Sequence, residues 1–348
     1  MHRRAAWGNP QSIRGRSFTS SHQRMDLPRQ GPFQEYETFI PDIGAFHDSL
    51  CTPLPVCLRT NTLRITPSEL TRILRDQGYR VRSSFLADYL LELKDTKRPG
   101  SALEAALGYF LSQALTSALA VMVLDPRPDE FICDICAAPG SKTTHMAQLM
   151  DNQGLIIAND NKEKRLRALE HNVKRLGITN VVTTLYAGQN FPGRWRFDRI
   201  LADVPCSGEG KLRFSTSSAR FTRRAPKSFL SRIQRGLLLQ AFDLLADTGI
   251  LLYSTCTYNP AENEEVVQYL LENRPAEVLP IELSAPHAHG LLQWRNSTYD
   301  QQMERCWRIY PHQINSVGFF LAKIGRRSSS KQTSGLFSEP FRNRPACV

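Results

Sequence analysis

From about Gly108 onward, stretches with helical spacing of apolar residues alternate with short apolar runs, and this alternation restricts the fold more than any other feature of the chain. A run such as Phe131-Ile-Cys-Asp-Ile-Cys136 is apolar at five of its six positions, on both faces of a strand, so it must be covered on both sides. Strands of that kind, separated by helices, form a parallel sheet with helices on both faces. The expected helices cover Phe110–Leu124, Lys142–Met150, Lys162–Leu176, Arg232–Leu245 and Ala261–Glu272. The expected strands cover Phe131–Cys136, Leu155–Asn159, Val181–Leu185, Phe197–Ala202, Gly249–Ser254 and Val317–Ile324. Gly177 stops the third helix, as a C-terminal glycine does. The fold class is therefore α/β, Rossmann-like, over residues 101–325.

Ahead of it, residues 33–100 read as a small α/β unit. Val56 to Leu63 is a strand, Thr66-Pro67-Ser68-Glu69 supplies a cap and first-turn proline for a helix ending near Gly78, and Tyr79–Val81 and Tyr89–Leu93 are further strands. Residues 1–30 have no apolar period, are rich in arginine and serine and are nearly free of acids. That composition suits a disordered basic arm or an organellar transit peptide. Residues 326–348 read as a polar tail. The expected location is cytoplasmic, or mitochondrial if the arm directs import. No apolar run is long enough to span a membrane. Eight scattered cysteines without a secretory signal read as reduced thiols.

In a sheet of this class, ligands lie beyond the carboxyl ends of the strands. After the first strand stands Cys136-Ala137-Ala138-Pro139-Gly140-Ser141-Lys142-Thr143-Thr144. Its small residues let the backbone approach a ligand, and the helix that follows offers free N–H groups to an anion. A P-loop would need glycine where Ser141 and Cys136 stand, and the dinucleotide fingerprint is missing too. Asp160 ends the second strand, roughly 20 residues past Gly140, where an acid holds a ribose diol. Together these suit an adenosine cofactor without a pyrophosphate. Cys133 and Cys136 read as structural thiols, since strand residues three apart point to opposite faces. His287 and His289 have no partners at metal spacing, and no metal is expected.

After the fourth strand comes Asp203-Val-Pro-Cys206-Ser-Gly208, and after the fifth Ser254-Thr-Cys256-Thr257. If these strands neighbour the first, both thiols and Asp203 converge at the cofactor. Carbon 5 of cytosine has little nucleophilicity until a thiolate adds at carbon 6. An acid at N3 eases that addition, which makes Asp203 the candidate acid and one of the two cysteines the covalent catalyst. A second thiol or a water then helps to remove the proton from carbon 5.

The motifs Asp134-Ile-Cys-Ala-Ala-Pro-Gly-Ser-Lys-Thr143, Asp203-Val-Pro-Cys-Ser-Gly-Glu-Gly210 and Tyr253-Ser-Thr-Cys-Thr257, in this order, resemble those of the Nop/Sun family of RNA 5-methylcytosine methyltransferases. The likeness runs from about Val56 to Ile324. It implies a Rossmann-like S-adenosylmethionine-dependent methyltransferase sheet preceded by a small α/β RNA-binding unit. It also implies that Cys256 attacks carbon 6, that Cys206 assists release of the product and that Lys142 stands in the active site. Related DNA enzymes use the cysteine of the Pro-Cys motif instead. Around the cofactor the resemblance places Cys136, Ala137, Ala138, Pro139, Gly140, Ser141, Lys142, Asp160, Lys164, Gln189 and Asp203. Arg59-Thr-Asn61-Thr-Leu63 resembles the family's N-terminal RNA-binding segment, and Gln113 its motif in the helix before the sheet. The chain departs from the pattern at Gln189, which stands for an adenine-contacting acid, and at Ala114 and Val317, which also replace acids.

A formal charge of +11 favours a polyanionic partner. Lys211, Arg213, Arg220, Arg223, Arg224, Lys227, Arg232 and Arg235 follow the Pro-Cys motif with no acid before Asp243. This stretch is expected to lie along RNA phosphates, with Phe214 and Phe221 stacking on bases. The expected partner is ribosomal or transfer RNA, and the expected state a monomer. The rival readings are a noncatalytic RNA-binding or ribosome-assembly factor on the same fold, and a methyltransferase acting on DNA or protein. The intact Asp203, Cys206 and Cys256 oppose the first, and the Arg59 segment with the basic stretch opposes the second.

Overall fold

The structure, a computed structural model, describes residues 33–94, Pro99, 102–213 and 227–327. The chain divides into Met1–Thr38 and Phe39–Val348. Of the first unit, the described part holds a single 3-10 turn, Gln34–Tyr36.

The second unit begins with α1 (Ile43–Leu50), β1 (Val56–Thr60), α2 (Pro67–Asp76), β2 (Val81–Ser83), β3 (Leu90–Leu93), α3 (Leu103–Ala106) and β4 (Phe110–Ser112). Thr66 and Glu69 form the capping box that starts α2: the Glu69 N–H donates to the Thr66 hydroxyl and the Thr66 N–H to the Glu69 carboxylate. Leu70 and Leu74, one turn apart, bury the helix's apolar face. The four strands form an antiparallel sheet in the order β2-β3-β1-β4.

Then follow α4 (Leu115–Leu124), β5 (Phe131–Asp134), α5 (Ser141–Leu149), β6 (Leu155–Asn159), α6 (Glu163–Leu176), β7 (Val181–Thr184), β8 (Phe197–Asp203), α7 (Lys227–Asp243), β9 (Leu245–Thr255) and α8 (Glu264–Asn273). Short strands come next: β10 (Ala276–Val278), β11 (Ala288–His289), the separate pair β12 (Gln293–Trp294) and β13 (Ser297–Thr298), and β14 (Trp307–Ile309). The last strand is β15 (Phe319–Arg326). Among the described residues the main sheet runs β11-β14-β15-β9-β8-β5-β6-β7, with β10 also paired to β15. The stretch from β9 to β7 is parallel, and β15 lies antiparallel to β9.

Successive residues of the central strands feed two cores. Cys133, Ile200, Leu251 and Tyr253 pack with α7 and α8 on one face, while Ile132, Leu201 and Leu252 pack with α4 and α5 on the other. Burial on both faces is why these strands read as continuous apolar runs. Chain order reverses between β5 and β8, so a crevice opens at their carboxyl ends. No helix among the described residues is long and apolar enough to cross a membrane.

One element differs in kind from expectation. Phe110–Ser112 is not the first turn of a helix but β4, paired with β1 through Thr60↔Phe110 and Leu58↔Ser112. Phe110 enters the core of the small sheet and Leu111 the core of the large one, an alternation that a helix would not give. The helix starts only at Leu115. Strand β9 is longer than expected at its N-terminal end, and α7 begins five residues earlier, at Lys227 rather than Arg232.

Candidate functional site

Because β5, β6, β8 and β9 are parallel, the residues that follow them share one edge of the sheet. Asn159, fully buried at the end of β6, organises that edge. Its amide donates to the carbonyls of Ile135 and Tyr186, and its oxygen accepts from the Tyr186 N–H, tying the loops after β5 and β7 together. Gly140 ends the β5 loop at φ 100°, and a Cβ there would lie 2.4 Å from Leu169 of α6. Only glycine allows that approach. Helix α5 starts without a side-chain cap, which leaves N–H groups of its first turn to be met from outside.

Asp160 is buried beside this loop. Its carboxylate accepts from the Ala138 N–H at 3.3 Å and from the Lys162 N–H at 3.1 Å. Arg165 of α6 pairs with it at 3.1 Å and also donates to the Ala138 carbonyl. The resemblance implies Lys164 at this place, whereas the residue of α6 that pairs with Asp160 is its neighbour Arg165. Lys164 is exposed, and on α6 it is Arg165 whose side chain turns toward the loop. Gln189 lies in the 3-10 turn Gly188–Asn190 after β7, half-buried against Gly236 of α7.

Asp203 closes β8 and lies opposite Ser254 of β9. The Ser254 hydroxyl donates to one carboxylate oxygen at 2.8 Å and the Lys142 ammonium to the other at 2.7 Å. Lys142, one residue into α5, also lies 5.4 Å from the centre of the Phe319 ring. Cys206 and Cys256 are half-buried, and their sulfurs are 3.3 Å apart. The loop carrying Cys206 is held by buried Glu262, whose Oε2 accepts from the Ser207 N–H and from Gln234. The Thr257 hydroxyl donates to Glu209, and the Ser207 hydroxyl then donates to Thr257, fixing the loops after β8 and β9 to each other. The sequence assigns no role to Glu262, Gln234, Glu209 or Thr257, because nothing local marks a polar side chain as a buried hydrogen-bond partner.

The two thiols are electrostatically unlike. The hydrogen bond from Cys206 pulls the Cys256 thiol down from its ordinary 9.0 to about 7; Lys211 and Lys142 add to the pull, against burial and Asp203. Cys206 is driven the other way, by the same hydrogen bond, by burial and by the charge on Cys256. Cys256 is therefore the sulfur poised as thiolate, with Cys206 as its donor. Burial raises Cys133 and Cys136, which leaves both as inert thiols.

Three residues expected on the RNA surface are interior. Arg59 is 1% exposed and spends its guanidinium on Gln113, the Ser141 carbonyl and the Thr144 hydroxyl, so it bolts the small sheet to α5. Asn61, equally buried, donates to the carbonyls of Gly108 and Leu176. Arg213 is 2% exposed and donates to the Ser316 carbonyl. None of them is available to a phosphate. Lys211 is exposed but faces the thiols. Arg223 and Arg224, with Phe214, Arg220 and Phe221, lie outside the described residues.

A doubly wound sheet with an adenosine-type loop at its switch point and two thiols beside an acid defines a Rossmann-like methyltransferase with a paired-cysteine site. Residues 121–325 match the model of the 16S rRNA methyltransferase RsmB/F family. The chain is 34% identical over 299 residues to the tRNA (cytosine(49)-C(5))-methyltransferase of Pyrococcus abyssi, covering 82% of this chain and 92% of that protein. It is 38% identical over 302 residues to the 28S rRNA (cytosine(4447)-C(5))-methyltransferase of Homo sapiens, covering 84% of this chain but 37% of the human protein. A solved methyltransferase homolog from Pyrococcus horikoshii superposes with a TM-score of 0.71 at 33% identity, over 81% of this chain and 90% of that one. The chain belongs to the RsmB/F family, and S-adenosylmethionine is its cofactor. The residues present fit that cofactor: the uncapped start of α5 suits its carboxylate, the small residues 137–140 leave room for its backbone approach, and Asp160 suits its ribose.

Proposed function

We propose that the chain forms 5-methylcytosine in ribosomal or transfer RNA, with Cys256 bonded transiently to carbon 6 of the target base. The observation that carries this reading is the 3.3 Å pairing of Cys256 with Cys206 beside the Lys142–Asp203 pair. A purely RNA-binding factor has no use for an acidic thiol held at that place. The names of the relatives, which act on cytosine C5 of RNA, support the substrate.

S-adenosylmethionine, held along Ala137–Lys142 and at Asp160, supplies a methyl group made electrophilic by its sulfonium. The chain's part is to make carbon 5 nucleophilic. The Cys256 thiolate forms a bond to carbon 6, and the carbon 5–carbon 6 π pair moves toward carbon 5 and the N3 side of the ring. As that pair arrives N3 takes a proton from solvent and donates it in a hydrogen bond to the Asp203 carboxylate, which Ser254 and Lys142 orient, and the proton returns to solvent once carbon 5 has taken the methyl group. Before addition, the hydrogen bond to Cys256 and the charge on that sulfur keep Cys206 protonated. Conversion of Cys256 to a thioether removes these two causes and leaves burial and the Glu262 charge, so Cys206 ionises more readily than before: it releases its proton to solvent and accepts the one from methylated carbon 5. The freed pair rebuilds the double bond and expels Cys256 as thiolate.

The test is incubation with methyl-labelled S-adenosylmethionine and cellular RNA, followed by ribonuclease digestion and nucleoside analysis. Label in 5-methylcytidine is expected. Label in protein, in nuclease-resistant DNA or in no product overturns the reading.

A further inference from the structure

Lys211 was expected to touch phosphate, but the backbone sets it elsewhere. It ends the 3-10 turn Glu209–Lys211, and the residue before it, Gly210, donates its N–H to the carbonyl of Cys256 itself at 2.9 Å. The Gly210 carbonyl accepts from the Gly318 N–H at 2.9 Å, and a Cβ on Gly210 would lie 2.2 Å from the Gly318 oxygen. The turn is therefore wedged between the end of β9 and the start of β15, and Thr257 holds Glu209 from below. Residue 211 leaves this anchored turn exposed to solvent, and its ammonium interacts with Cys256 and Cys206.

Among the described residues, the groups that act on Cys256 are Cys206 from the loop after β8, Asp203 from the end of β8, Lys142 from α5, Lys211 from the turn and the Tyr258 phenol beyond β9. Lys142 is committed to Asp203 at 2.7 Å, and that pair is neutral overall. Among the described residues no carboxylate pairs with Lys211. We propose that Lys211 is the counter-ion of the Cys256 thiolate, holding the nucleophile ionised from the solvent side of the site. The proposal rests on Cys256 being the nucleophile. The charge on Cys256 in turn raises the Lys211 ammonium, the reciprocal effect expected of an ion pair.

The test reads the thiolate directly. The full-length protein is alkylated with iodoacetamide across pH 5.5 to 9.5, and modification of the Cys256 peptide is followed by mass spectrometry. Lys211→Met is expected to raise the midpoint by about one pH unit and so slow alkylation roughly tenfold at pH 6. Lys211→Arg should keep the wild-type midpoint, because it keeps the charge. An unchanged midpoint in Lys211→Met, or an equal shift in Lys211→Arg, overturns the proposal. A Lys211→Met protein that keeps its midpoint and loses RNA affinity with a shallower salt slope assigns the lysine to phosphate instead. Alkylation needs neither RNA nor methyl transfer, so this result is independent of whether cytosine is the substrate.

Discussion

The Lys142 ammonium donates to Asp203 across 61 residues of chain, 2.7 Å from oxygen to nitrogen, and this bond links the start of α5 to the end of β8. It places a cation and an anion together beside two thiols, so the carboxylate is oriented before any base arrives.

Asp203→Asn keeps the shape and removes the group meant for N3. The single-turnover rate should fall by about 10²–10⁴ with RNA affinity unchanged. Lys142→Met should lower the same rate by freeing the carboxylate to rotate. Rapid-quench assays at saturating RNA check both, and an Asp203→Asn rate within a few-fold of wild type contradicts the role.

Arg59→Ala should act on stability and leave RNA binding alone. The buried guanidinium is replaced by a cavity, and Gln113 and the Ser141 carbonyl lose their donor, at a cost of about 1–3 kcal/mol for each buried acceptor left without a partner. A urea titration and a salt-dependent RNA titration separate the two effects. A shallower salt slope at unchanged stability would restore the phosphate role.

Helix and strand alternation, the Thr66 capping box and the Gly177 stop are local signals, and each matches the element found. The residues that end the strands, Asp160, Asp203, Cys206 and Cys256, were legible because parallel strands deliver their ends to one edge. Arg59 and Arg213 were not: an arginine reads as surface unless its acceptors are known, and those of Arg59 lie 54 to 85 residues away. Phe110–Ser112 was misread because a three-residue strand in a Leu- and Ala-rich run shows its nature only through pairing with β1.

Asp134, under the cofactor loop, gives a pH signature. Burial raises its carboxyl from 3.8 to about 7, opposed by the Thr143 hydroxyl that donates to it at 2.7 Å. The folded state therefore holds a proton that the unfolded chain has already released above about pH 4. Its contribution is fully present below that pH and is lost as pH rises through 7, an effect of at most roughly 4 kcal/mol. Asp134→Asn keeps an acceptor for Thr143 and cannot titrate. Urea midpoints at pH 5 and pH 8 should fall more in wild type than in the variant, and equal falls contradict the assignment.

Trapping the base on the enzyme tests the central claim most directly. Cys206→Ala, mixed with S-adenosylmethionine and substrate RNA, should accumulate a protein–RNA adduct that survives denaturant, and peptide mapping should place the bond on the sulfur of residue 256. The double variant with Cys256→Ala should form none. A Cys206→Ala protein that turns over freely without an adduct, or an adduct mapped to another residue, would contradict the account.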